Sequence, residues 1–496
     1  TLRSIKKILS ITLSVLFLLQ QGGFVFATTN VSTWADLQAG IAGTQDEYNV
    51  TTALTADTSP NGTLNITADG YSVTGASLTE NGTHDTLVNI ASATTFGLGN
   101  DISGSIVNNG VLNYSGSSLA NGTVTGNGTL NFNGASVTNA NTINQSAVSV
   151  NAASTLTNNA AVNATTFTNN GVVDNNAAIT GTITNTGTLT SSADYLIGAV
   201  ENNNTLNLEG GWIDNSISGT GNTNINGHTV SNANITQNSV NIYNSNLTQD
   251  GVLTATVNND SGSWFSIDPD NLAGDVVNDG TMDFSIGDGG TLAQNITGTG
   301  LTLVNYDMEV ALNDANSISQ DTIHIEAGSS LTANASNLSA TTQILNDGQL
   351  NLTGGTNNNA INGDGAVEFN GESVINNGAI DQQTGGVVNN AYTLENNALI
   401  TAEITNNDLM GLYSTADNLN GLVHNAGYLF LQGGTTQNAI DGDGDLIINT
   451  AALSNTYNIA QTKLTAYTDF ENSGIVSLTN LETDAAATVS NTNSIT

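Results

Sequence analysis

One skeleton recurs along this chain: N-x-G-x-L-x-L-x-G-G, then I-x-G-x-G-x-L-x-I, then V-x-N, then I-x-Q. Five stretches carry it, beginning at Asn108, Asn202, Asn278, Asn346 and Asn425. Weaker copies such as TNNGVVDNNAAITGTITNTGTLT fill the intervals. Self-similarity of this kind constrains the fold more than any single motif. Each copy holds short alternating runs (LNL, LNF, TNIN, VEF, LII), and alternation at period two marks strands with one buried face. Asn-Gly, Gly-Gly, Asp-Gly and Thr-Gly pairs separate the runs, because glycine and asparagine accept positive φ. Many short strands, closely spaced turns and a repeating unit predict an all-β chain coiled as a β-solenoid.

A single coil cannot bury its apolar face alone. Stacked about 4.8 Å apart, each coil pairs its backbone with the coils above and below. Inward Leu, Ile, Val and Phe then share one narrow core. At roughly 20 residues per coil, the chain supplies on the order of 23 coils. The recurring Asn108, Asn202, Asn346 and Asn425 admit two readings: inward amides hydrogen-bonded along the axis as a ladder, or residues that simply suit turns. Disorder is the structural rival for so polar a composition. Against it stand 38% hydrophobic residues, the alternation of Val, Ile, Leu and Thr, and the scarcity of proline and lysine.

The charge balance removes whole classes of function. There are 42 acidic residues against four Lys and Arg, for a formal net charge of -38, and no cysteine. Binding to nucleic-acid phosphate or an anionic membrane is excluded on these grounds. Disulfides and thiolate metal sites are impossible.

The chain begins with an address. Arg3, Lys6 and Lys7 precede the apolar run Ile8 to Leu19, and Val25 and Ala27 stand as the small residues before a cut. This is the order of a secretory signal peptide over residues 1–27, and the run is shorter than the ~20 residues of a spanning helix. Its removal leaves Lys463 as the sole lysine or arginine. Residues 28–106 are read as an N-terminal cap and first coils, and residues 107–496 as the repetitive solenoid. Within the cap, Ser32 to Gly43 predicts a helix: Thr33 as N-cap, Asp36 three residues on, Trp34, Leu37 and Ile41 on one face, and Gly43 as the stop. Such a segment covers the open end of a solenoid. TVSNTNSIT ends in strand-like alternation without a cap, which predicts that the natural protein continues beyond Thr496.

The exported start, the WADLQAGIAG cap and the NDGQLNLTGG and INGDGAVEF repeats resemble bacterial autotransporter passengers and related large β-solenoid adhesins. The similarity covers nearly the whole chain after residue 27. It implies a single-stranded right-handed parallel β-helix displayed outside the cell, at the bacterial surface or released from it. The family's C-terminal outer-membrane barrel is missing from these residues.

No constellation for catalysis emerges. A pectin-degrading lyase of this fold needs an Arg or Lys base, and only Lys463 is available. A hydrolase needs paired carboxylates, and no two aspartates are adjacent. His84, His228, His324 and His424 show no metal-ligand spacing and read as turn or surface residues. The one candidate metal site is DGDGD, where Asp441, Asp443 and Asp445 offer oxygens at spacing two to Ca²⁺. The equivalent positions in other copies read NGDGA, SGTGN and TGNGT, so a glycine turn is retained while the acids are not. Thr180 to Thr190 alternates threonine as ice-binding arrays do, but crosses two turn glycines. Trp212, Trp264 and Phe265 are possible sugar platforms, with packing as the plainer role. The expectation is a structural or adhesive surface protein with no cofactor and no catalysis in this region. Its expected partners are a host or neighbouring cell surface, glycans or further copies of itself. The alternatives are a polysaccharide-active β-helix enzyme, or a passive stalk presenting a downstream domain.

Overall fold

The computed structural model describes residues 29–41, 47–52, 54–55, 63–66, 71–75, 78–79, 86–119 and 122–496. The segment 1–27 expected as a signal peptide, the expected stop residue Gly43 and His84 lie outside the described residues. The fold is a parallel β-solenoid of about 24 turns, about 5% helical. The chain divides into two compact units: Thr1–Ser191 with Tyr195–Glu201, and Ser192–Asp194 with Asn202–Thr496. Among the described residues, no helix is long and apolar enough to cross a membrane.

In the first unit, the strand Thr29–Val31 is followed by a helix at Trp34–Ile41. The Thr33 hydroxyl donates to the Asp36 carboxylate at 2.6 Å, and the Asp36 backbone N–H donates back to Thr33 Oγ1 at 3.2 Å. This reciprocal pair is what the Thr-x-x-Asp spacing predicts. Trp34, Leu37 and Ile41 form its buried face, which packs on Thr29–Val31 and Leu64–Ile66. Beyond it, period-two alternation becomes vertical columns of side chains. Leu112, Leu130, Val148, Phe167 and Ile183 follow one another in register over five turns, none more than 1% exposed.

In the second unit, one turn is three strands. Ile361–Gly363, Ala366–Phe369 and Ser373–Asn376 lie under Ile380–Gln382, Val387–Asn389 and Thr393–Asn396, each on its own face. On the second face, Leu350, Val367, Val387, Ile404, Val423, Ile440, Ile459 and Val476 make one unbroken column. Each of these side chains contributes about 2 kcal/mol relative to its exposed state. No layer closes without its neighbours, so stability is carried from turn to turn. Three short 3₁₀ turns, Pro269–Asn271, Ala335–Asn337 and Ala416–Asn418, each feed a buried leucine: Leu272, Leu338 and Leu419.

The sequence copies do not stack directly on each other. Asn202 bonds Gln237, which lies in the strand Ile235–Ile242 one face before the column holding Ile242, Asn259 and Asn278. Asn278 bonds Gln320 in the strand Ile318–Ile325, and Ile325 at the end of that strand leads to Asn346 on the first face. Asn425 continues the column of Leu352, Phe369, Asn389 and Asn406, on the second face. Within the second unit, each copy therefore begins one face further round than the copy before it. A copy is longer than a whole number of turns by one strand.

Candidate functional site

The most ordered chemistry in the molecule is internal. Asn389, Asn406 and Asn425 are buried, and each Nδ2 donates to the Oδ1 of the next at 2.7 Å. Asn357, Asn376 and Asn396 do the same at 2.8 and 2.7 Å, ending on Ser414 Oγ at 3.1 Å. In the first unit, Asn139, Asn158 and Asn175 end on Ser191 Oγ. These are amide ladders parallel to the axis. The same side chains also make turns: Asn389 Oδ1 accepts the Ala391 N–H at 3.1 Å, and Asn357 Oδ1 accepts the Asn359 N–H at 3.0 Å. The ladder and turn readings of asparagine are thus one device. A residue at the inward corner needs a donor along the axis and an acceptor for its own turn, and a primary amide supplies both.

The I-x-G and I-x-Q segments complete the same device. In the five copies, Asn108, Asn202, Asn278, Asn346 and Asn425 bond Gln145, Gln237, Gln320, Gln382 and Gln461, at 2.6 to 3.2 Å. Each bond skips a turn. The skipped position is Gly126, Gly219, Gly298, Gly363 or Gly442, all at φ between 111° and 140°. A Cβ at any of them would lie 2.2 to 2.4 Å from the carbonyl oxygen of the copy's asparagine. Glycine removes the side chain there, and glutamine, one methylene longer than asparagine, spans the gap. The sequence displays both residues, but their partnership is visible only in three dimensions.

The DGDGD segment is the Gly442 turn. Asp441 Oδ1 lies 2.5 Å from His424 Nδ1, and His424 Nε2 lies 3.1 Å from Glu403 Oε1. The Asp443 carbonyl accepts the Thr462 hydroxyl at 2.7 Å. Asp445 starts the next strand, opposite Lys463, whose Nζ is 2.6 Å from Glu482 Oε2. Among the described residues, no three His, Cys, Asp or Glu side chains form a group that could hold a metal ion. His324 Nε2 pairs with Asp347 Oδ2 at 3.1 Å, and His228 is exposed at a turn. The threonine run is split between Ile179–Asn185 and Thr188–Ser191, two strands of different faces. Of the aromatic candidates, Trp212 is exposed and Phe265 is a core residue.

Trp264 has a specific task. Its Nε1 donates to Ser266 Oγ at 2.9 Å and to Asp283 Oδ2 at 3.3 Å, shielding a carboxylate that is only 3% exposed. Burial pushes the Asp283 carboxyl above the ordinary aspartate range, and the Glu326 charge adds to it. The Ser285 hydroxyl, the Trp264 indole and the Ser266 hydroxyl pull the other way. Asp283 Oδ1 has no hydrogen-bond partner. The matching position is Asn113, Asn207 and Asn351 in other copies. A carboxyl whose folded pKa is raised favours folding most at low pH, and that contribution fades as pH rises through the folded pKa. Asp283→Asn is expected to raise stability at neutral pH by about 1 kcal/mol. It should also flatten the pH dependence of the melting temperature between the ordinary aspartate range and neutrality. An equal or lower melting temperature at pH 7 in the variant would contradict this assignment.

A groove of about 930 Å³ crosses four turns of the second unit, over Gly290–Leu292, Glu309–Leu312, Ser330–Ala333 and Gln349–Leu352. Elsewhere in the same unit, Tyr413 and Phe430 stack with centroids 4.1 Å apart and planes 1° from parallel. That stack leans over Gly411, where a Cβ would come within 3.1 Å of the Tyr413 ring. Neither feature was foreseeable from spacing, because both depend on which turns lie side by side. Comparison with family models, with curated proteins and with solved structures finds no match for this chain.

Proposed function

We propose that this chain is an exported surface solenoid that acts as an adhesive or structural element, through its length, stiffness and repeated polar exterior, with no catalysis in this region. The stepping of the copies from face to face carries the reading. A protein built to hold one flat array would keep its repeat in phase with its turns, whereas this one turns each copy in a new direction. That arrangement suits many equivalent contacts made from several sides. The leader-like residues 1–27 and the resemblance to autotransporter passengers support an extracellular role. Deleting the gene is expected to reduce attachment to surfaces, cell–cell aggregation or envelope integrity. Unchanged behaviour in all three assays would refute the proposal.

A second reading, a polysaccharide-active β-helix, draws on one observation: three carboxylates, Asp288, Glu309 and Asp347, line the groove. Under the leading proposal, incubation with neutral and acidic polysaccharides releases no new reducing ends. Release that disappears in Glu309→Gln would install the enzyme reading instead.

A further inference from the structure

The groove and the turn beside it point to a ligand. Its floor is made of outward side chains in vertical register: Thr291 over Ala311, then Thr332, then Asn351. Asn351 Nδ2 donates to Thr332 Oγ1 at 3.1 Å, and Gln349 Nε2 donates to Asn351 Oδ1 at 2.9 Å. Thr332, Asn351 and Gln349 therefore offer oriented donors and acceptors from two adjacent layers about 4.8 Å apart, with Ala311 as an apolar step between them and Thr291. Its border is acidic, with Asp288, Glu309 and Asp347, and no lysine, arginine or histidine lines it.

The turn Asn305–Met308 stands at the rim. It leads directly into Glu309, and Asp307 abuts Gly328, another groove residue. Tyr306 and Asp307 hold φ at 55° and 61°. Two successive positive φ values define a turn that prefers Asn-Gly, and tyrosine is a poor occupant. The turn is pinned all the same: the Tyr306 N–H donates to Asn305 Oδ1 at 2.7 Å, and the Met308 N–H to the Asn305 carbonyl at 3.3 Å. The outcome is a ring 74% exposed, more than any other large apolar or aromatic side chain among the described residues. A strained backbone that holds an aromatic ring in solvent beside a groove is the kind of outlier from which a binding role is inferred.

We propose that this groove binds a neutral oligosaccharide, with Tyr306 as the stacking platform and the Thr332, Gln349 and Asn351 line as the hydroxyl-reading floor. Carboxylates and amides accept and donate to sugar hydroxyls, while the acidic border repels uronates and other polyanions. The layer spacing of the floor, about 4.8 Å, is on the scale of successive rings in an extended glycan. This deepens the adhesive reading and rests on it for where the ligand is met.

Calorimetric titration of the full chain with cello-, xylo-, manno-, laminari- and chito-hexaoses tests it, with tetralysine and tetragalacturonate as controls. At least one neutral hexaose is expected to bind saturably in the millimolar range or tighter. Tyr306→Gly is expected to weaken that binding about tenfold while raising the melting temperature, since glycine accepts the turn without strain. Thr332→Arg is expected to abolish binding with the melting temperature unchanged. The proposal is overturned by no saturable binding to any hexaose, by binding of tetralysine alone, or by affinities that neither variant changes. Cells displaying Thr332→Arg that attach normally would retire the groove and leave the surface role standing. Unaltered attachment after gene deletion would retire the surface role whatever the groove binds.

Discussion

Asn406→Leu is expected to lower stability by about 3 to 5 kcal/mol, although it places a larger and more apolar side chain at a buried position. The substitution leaves Asn389 Nδ2 without its acceptor at 2.7 Å and Asn425 Oδ1 without its donor at 2.7 Å. Both partners are fully buried. Two orphaned polar groups outweigh the transfer energy of one leucine. Urea unfolding of the full chain measures the effect, and hydrogen exchange locates it, because solenoids open locally. A loss under about 1 kcal/mol would show that the ladder bonds are geometrically present but energetically idle. A sharper comparison replaces Asn389, Asn406, Asn425 and Gln461 together by leucine. With every side-chain partner of the ladder removed and only backbone groups such as the Ala391 N–H left over, the quadruple variant is expected to be less destabilised than the sum of its single changes.

Gly442→Ala is expected to be of similar size, about 3 kcal/mol or more, from one methyl group. Gly442 sits at φ 114°, and the new Cβ would lie 2.3 Å from the Asn425 carbonyl oxygen. That oxygen is backbone and cannot swing aside. Relief requires the turn to lift, which also breaks the bond of Asn425 to Gln461 across it. Gly262→Ala is the control: φ is 83°, yet the nearest atom to its Cβ is the Asn244 side-chain oxygen at 3.4 Å. It carries only the left-handed backbone cost, about 1 kcal/mol. Equal losses in the two variants, read from their melting temperatures, would deny any special role to the close approach at Gly442.

The alternation of residues such as Leu206 and Leu208, or Val367 and Phe369, made the strands legible, because one buried face per strand is a local property. The helix was legible for the same reason, from Thr33, Asp36 and its apolar spacing. The phase between copy and turn was not. A copy's length is visible in the sequence, but a turn's length is set by corners such as Pro269–Asn271 that only packing defines. The skeleton's Asn, Gly and Gln could be aligned without revealing that they touch. Asp283 read as one acid among 42, since its burial depends on Trp264 from the preceding turn. Tyr306 drew no notice, because an unfavourable φ leaves no trace in composition.

The offset between copy and turn has a genetic consequence. Recombination between any two copies would delete or duplicate a segment whose ends already match, since each copy closes on the same kind of strand corner with which the next begins. Between adjacent copies the product would be shorter or longer by a few layers, and everything beyond the junction would be swung by a third of a revolution; between copies three apart the direction would be restored. Such a polypeptide behaves as a screw thread that can be cut or extended at any groove and still fit.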